Sequence, residues 1–398
     1  MQFDMVFEGG GAKGMAFVGA LKALEEKGHT SRRLIGTSAG AITATLLAVG
    51  YNAQKMAEEL GRKDSNGIPV FAKFMDTPTA EDLQGDIDSS LTMQLFKNID
   101  FSSVLRSLSP LLRPLSSALT QFKEQFARKL IEQLLKSQAY ATTFSFIEQG
   151  GLYVGQEFFN WFRERLNEQK PGFADLTLAQ LFAETKRDLS LVATDTTDRA
   201  MLVLNHRTAP HCPVTWAVRM SMSIPFAWHE VRWQPEWDPY CLLNESGTVI
   251  KTQKNLTAHA IVDGGVLSNF PINLLASNEP SVRACMGDTV ADRTTVLGLL
   301  IDEECEVRNA PPPPKEEEDD EKGIKGNIKK LRTVTRVSRL LDTMMAAHDK
   351  QTIAANEDLI CRLPAKTYGT MEFDMTDDRK KALTEAAKAT MLEHLAHR

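Results

Sequence analysis

The sequence predicts an α/β protein with helices packed on a mainly parallel sheet. Three observations carry this. The first fifty residues run twice from a short apolar stretch through a glycine-containing loop into a helical pattern, the grammar of parallel strands joined by helices. The same alternation returns in the second half of the chain. The 398 residues are 42% hydrophobic and 25% charged, the mix of a folded globular protein long enough for one large domain with insertions or for two ordinary domains.

Residues 3–7 read as a short strand, followed at once by glycines and then by the helical pattern of Met15 to Lys27. Leu34-Ile35 is a second apolar run, ended by Gly36. A helix follows from Ala39 to about Val49, with Gly50 as its stop signal. Residues 64–150 differ. Pro110 and Pro114 punctuate them, and Leu119, Phe122, Phe126, Leu130 and Leu134 recur at steps of three and four, so a mainly helical insertion is expected. Thr177 and Gln180 are spaced as a capping box. Residues 189–193, 201–204, 260–262 and 295–301 read as strands. Residues 309–330 hold Pro311 to Pro314 and then the acidic run Glu316 to Glu321, which reads as a linker or mobile loop. Leu331, Val334, Val337, Leu340, Leu341 and Met344 give an amphipathic helix, and a last helix starts near Asp377. The expected organisation is a catalytic domain over 1–308, the linker over 309–330, and a helical extension over 331–398 that packs on the domain.

A net charge of −6 gives no reason to expect nucleic-acid binding. The five cysteines form no CxxC pair and are odd in number, so free thiols are expected rather than a zinc site or a disulfide framework. No metal and no cofactor is expected. Met1-Gln2-Phe3-Asp4 lacks the basic region and apolar stretch of a Sec signal, and no uncharged apolar run reaches the roughly 18 residues of a membrane span. The expectation is a cytoplasmic protein.

Gly36-Thr37-Ser38-Ala39-Gly40 fits G-x-S-x-G, a pattern whose meaning depends on its joining a strand to a helix. It does so here. In that setting the serine sits on a tight turn with its hydroxyl pushed outward, and a helix N-terminus helps a developing anion. A plain N-cap serine is the bland alternative. Gly9-Gly10-Gly11-Ala12-Lys13-Gly14 follows the first strand and also fits G-x-G-x-x-G. A Rossmann-like nucleotide-binding reading wants an acidic residue at the end of the second strand, where Thr37-Ser38 stands instead. The other reading is an oxyanion hole, with backbone N–H groups of Gly9, Gly10, Gly11 and Ala39 converging on a carbonyl oxygen. Lys13 is then either a fixed cation beside a phosphate headgroup or an ordinary surface lysine.

A serine nucleophile needs a base. Of eight histidines, His229 and His259 are the best placed, and each reads equally well as a structural residue. Asp195, Asp263 and Asp302 each follow an apolar run, which would bring each to the C-terminal edge of the sheet. Asp263 alone is followed by two glycines, which permit close approach. A free aspartate has a pKa near 3.9, so desolvation would have to raise it.

These blocks resemble the patatin-like phospholipases. The glycine loop, the elbow at Ser38, Arg219-Met220-Ser221-Met222-Ser223-Ile224-Pro225, and Asp263-Gly264-Gly265 followed by Asn269-Phe270-Pro271 occur in the family's order over about residues 3–275. The resemblance implies a three-layer α/β/α fold, a Ser38–Asp263 dyad without histidine, and hydrolysis of lipid acyl esters without a metal. Lys13 stands where many members carry arginine. Neither the insertion nor the tail after 309 maps onto the common core, so substrate choice does not carry over. The implied partners are a lipid substrate and a membrane surface, with room for an unknown activating ligand or protein. Residues 101–140 carry six Lys/Arg against two Asp/Glu, which reads either as a lid or docking element or as a helix with a solvated basic face. A regulatory protein that keeps the fold without turnover is the remaining rival, and the intact dyad argues against it.

Overall fold

The computed structural model describes residues 1–98, 123–287, 292–312, 343 and 349–398. Its strands are β1 (Gln2–Phe7), β2 (Thr30–Thr37), β3 (Gly151–Tyr153), β4 (Asp188–Asp195), β5 (Ala200–Asn205), β6 (Phe226–Trp228), β7 (Val231–Arg232), β8 (Tyr240–Leu243), β9 (Ile250–Lys254), β10 (Ala260–Asp263), β11 (Val296–Asp302) and β12 (Ile360–Pro364). Eight of them form one mixed sheet. β12, β11, β1, β2 and β4 lie side by side and parallel, while β5 and β10 run antiparallel to β4, and β7 antiparallel to β10. The predicted α/β class with a mainly parallel sheet is what the structure has.

Side-chain alternation along the strands feeds two cores, one on each face. Phe7, Leu34, Leu191 and Leu299 face helices α1 (Ala16–Glu26) and α2 (Ala39–Ala48). Val6, Ile35, Val192 and Leu300 face the short helices Asn273–Ala276 and Pro280–Met286. Helix α2 is apolar around most of its circumference and is buried accordingly. The capping box at Thr177 is formed in both halves: Gln180 N donates to Thr177 Oγ1 at 3.3 Å and Thr177 N to Gln180 Oε1 at 2.9 Å.

Within the expected helical insertion, the helix Lys123–Leu134 packs through the stripe next to Phe126, Leu130 and Leu134. Ala127 and Ile131 are fully buried, followed by Leu135, whereas Phe126 is 42% exposed. The tail after 331 is not wholly helical, because β12 adds a parallel edge strand to β11. The last helix, Asp377–His397, then packs on α1, where a Cβ on Gly19 would stand 2.0 Å from the Thr384 carbonyl oxygen. Leu119, Phe122, Pro110, Pro114, the linker beyond Pro312 and the amphipathic pattern Leu331–Met344 lie outside the described residues. Among the described residues, no helix is long and apolar enough to cross a membrane.

Candidate active site

The site is built on one edge of β4. β5 pairs with Ser190–Asp195 along one edge of that strand. The other edge is shared: β2 uses it as far as Thr37, opposite Val192, and β10 uses it from Asp263, opposite Ala193. β2 and β10 therefore arrive from opposite ends and meet. Their terminal residues face consecutive positions of β4, about 3.3 Å apart along the strand. Ser38 is the residue after Thr37, so the nucleophile candidate and Asp263 are brought together by strand pairing alone. Asp263 lies beside the C-terminal end of β2, at the sheet edge where it is expected, but it ends a strand that runs back against β4, and it meets Ser38 for that reason.

Ser38 holds a strained turn, with φ 52° and ψ −118°, at the N-terminus of α2. A non-glycine residue there costs on the order of 1–3 kcal/mol, and the surroundings impose it. A Cβ on Gly36 would stand 2.2 Å from the Gly40 carbonyl oxygen, and one on Gly40 would stand 2.2 Å from that of Phe7. Only glycine permits the elbow. Ser221 then pins it: its Oγ accepts the Ser38 N–H at 3.0 Å and donates to the Val192 carbonyl at 2.6 Å. Asp263 is tied to the same block, because its N–H donates to the Ser223 carbonyl at 2.9 Å.

Asp263 is fully buried. Burial pushes its carboxyl up to about 7, against the Gly265 N–H and the Ser38 hydroxyl, which favour the ionised form. Oδ1 accepts from Gly265 N at 2.7 Å, whereas Oδ2 has no hydrogen-bond partner among the described residues. The other candidates have partners elsewhere. Asp195 binds His259 Nδ1 at 2.8 Å and the N–H groups of Thr197 and Asp198. Asp302 binds Arg362 at 3.0 Å. His229 Nε2 lies 2.6 Å from Ser145 Oγ, and burial lowers its pKa to about 4.

The glycine loop lies against the elbow, since a Cβ on Gly9 would stand 3.2 Å from the Ser38 Cβ. Asn269 clamps it: the Gly9 N–H donates to the Asn269 carbonyl at 2.9 Å, and Asn269 Nδ2 donates to the Gly9 carbonyl at 3.0 Å. That bond removes Gly9 from the expected oxyanion donors. Gly10, Gly11 and Ala39 remain, and no acceptor is paired with their N–H groups among the described residues. Behind the loop, Glu8 accepts from Ile301 N at 2.6 Å and from Asn269 Nδ2 at 3.2 Å. Burial pushes Glu8 up to about 8, and the nearby Asp349 adds to the rise. Lys13 is not a surface lysine. Its side chain is buried and its ammonium is ion-paired with Glu303, so a headgroup would have to compete for a charge already matched.

Ser38 opens on a cavity of about 780 Å³, counted with its mouth. Its walls are almost wholly apolar, with the aliphatic Val18, Ile42, Leu46 and Met56 and the aromatic Phe71, Phe74, Trp161, Trp228 and Phe373. A hydroxyl at a helix N-terminus, a buried carboxyl beside it, unpaired N–H groups on the adjoining glycine loop and an apolar cavity suit acyl transfer. Ser221 and Asn269 were within the recognised blocks, but their spacing says nothing of what they touch. Phe373 lies in an aperiodic loop, which carries no local pattern.

A family model described as patatin-like phospholipase matches residues 5–276. The chain is 27% identical to the uncharacterized protein YqhO of Bacillus subtilis (strain 168), with 98% of this chain and 96% of that protein covered. Two solved structures are more distant. VipD from Legionella pneumophila shares 17% identity at a TM-score of 0.44, with 99% of this chain and 67% of VipD covered. ExoU, in its complex with SpcU from the type III secretion system of Pseudomonas aeruginosa, shares 19% identity at a TM-score of 0.34, and this chain spans about half of it, 51%. With the family match running from β1 through the elbow to beyond Asp263, the chain belongs to the patatin-like phospholipase family.

Proposed function

We propose that this protein is a lipid acyl hydrolase of the phospholipase A type, working through a Ser38–Asp263 dyad. The observation that carries the reading is a buried aspartate beside a serine that lines an apolar cavity, the aspartate's Oδ2 having no hydrogen-bond partner among the described residues. Asp263 takes the proton of the Ser38 hydroxyl as Oγ attacks the ester carbonyl. The N–H groups of Gly10, Gly11 and Ala39 hold the oxyanion, each worth roughly 3 kcal/mol. The alcohol leaves with the proton from Asp263. A water molecule then gives its proton to Asp263, attacks the acyl-enzyme and frees the fatty acid, and Ser38 recovers its proton. Every proton passes through one carboxyl, so its pKa near neutrality suits both halves.

Phospholipid vesicles and short-chain esters, offered to wild type, Ser38→Ala and Asp263→Asn, test the reading. Turnover is expected in the wild type alone, with a fluorophosphonate adduct on Ser38. Equal activity in all three would refute it. Contact with a bilayer belongs to the same proposal and rests on the basic excess of residues 101–140. Reversing those charges should weaken binding to anionic vesicles, and unchanged binding would remove the docking role.

A further inference from the structure

We propose that the loop 367–375 is a working wall of the active site, and that Phe373 sets the size of the acyl group that reaches Ser38. This rests on the acyl-hydrolase reading and concerns residues beyond the family match, which ends at 276. Phe373 is 7% exposed and lines the same cavity as Ser38. Its ring meets Trp228 edge-on at 5.9 Å and 83°, and lies 6.5 Å from Phe74. Both neighbours also line the cavity, so Phe373 continues an aromatic stretch of its wall.

The loop is held at both ends. Toward the site, the Thr370 carbonyl accepts the Ala12 N–H at 2.9 Å, and a Cβ on Gly11 would stand 2.2 Å from that oxygen. The wall is thus registered directly on the glycine loop that faces Ser38. Away from the site, Arg379 is 1% exposed and binds both oxygens of Glu372, at 2.6 and 3.0 Å. It also donates to the carbonyls of Pro311 at 2.7 Å and Thr367 at 2.8 Å, and its guanidinium lies 4.0 Å over the Tyr368 ring. A buried guanidinium is tolerated only when its donors are matched, and here three of its four hydrogen bonds are to the loop. This holds the loop to one shape, as a wall that selects by size requires.

The test is a series of p-nitrophenyl esters from acetyl to hexadecanoyl, with kcat and KM separated, for wild type, Phe373→Ala and Phe373→Trp. Each variant is scored against its own butyryl rate, and circular dichroism establishes that it is folded. Phe373→Ala should raise relative kcat/KM for the longest or bulkiest acyl groups about tenfold, and Phe373→Trp should move the profile toward short chains. Should the alanine variant fail to fold, Phe373→Leu carries the same expectation with a smaller shift. Folded variants whose profile matches that of an active wild type, or that both move in one direction, overturn this inference alone. A wild type that cleaves no ester overturns the hydrolase reading with it.

Discussion

Replacing Asp263 by asparagine should cut turnover by orders of magnitude and stabilise the fold. The carboxyl rises from 3.8 to about 7 because it is buried. That spans roughly three pH units, each worth about 1.4 kcal/mol, so holding the ionised form in the folded protein costs on the order of 4 kcal/mol. The sign follows from the direction of the shift. Below the unfolded value near 3.8 the group is protonated in both states and the penalty is absent. As pH rises toward 7 the unfolded chain ionises freely and the folded one does not, so stability falls and then levels off. Asparagine keeps the acceptor for Gly265 N and has no charge to bury. Thermal melts of both proteins at about pH 5 and about pH 8.5 read the difference directly. The variant's advantage should grow by several degrees between the two conditions, while hydrolysis drops by roughly 10²–10⁴-fold. An advantage independent of pH, or a wild type that is the more stable at high pH, would show that Asp263 is not a desolvated carboxyl and would remove its suitability as the base.

In the active enzyme the same pKa predicts an acid limb: kcat/KM should climb through about pH 7 and flatten above it, and a profile flat from pH 5 upward would contradict the assignment. Ser221→Ala leaves the buried Ser38 N–H without its acceptor and the Val192 carbonyl without its donor. A loss of about 1–3 kcal/mol is expected in denaturant melts, with kcat falling about tenfold and KM little changed; unchanged kcat would mean that the elbow holds its shape unaided. Gly36→Ala places a methyl 2.2 Å from a backbone oxygen, so loss of fluorophosphonate labelling or of the folded state is expected, and a folded, labelled protein would show that the elbow relaxes.

The Ser38 half of the site was legible because glycine spacing is a local constraint. Gly36 and Gly40 are demanded by atoms within four residues or by the adjoining strand end, so the requirement appears as a pattern in the chain. The Asp263 half is different. An apolar run ending in aspartate marks a strand and its last residue, but carries no information about the strand's direction. Asp195 and Asp302 share that feature with Asp263, and they end strands that run parallel to β2 or to β1. Of the three strands only β10 runs the other way, and only an opposed strand on the same edge of β4 can end face to face with β2. β12 was missed for a related reason. Four of its five residues are buried, so it lacks the alternation that would mark a strand, and its place beside β11 depends on a partner some sixty residues earlier. The buried state of Lys13 and the wall at Phe373 depend likewise on contacts between distant segments, Lys13 with Glu303 and Ala12 with Thr370. What a nucleophile requires of its own turn can be read locally; what surrounds it is fixed by strand polarity and by the return of the C-terminal segment, which only the assembled sheet specifies.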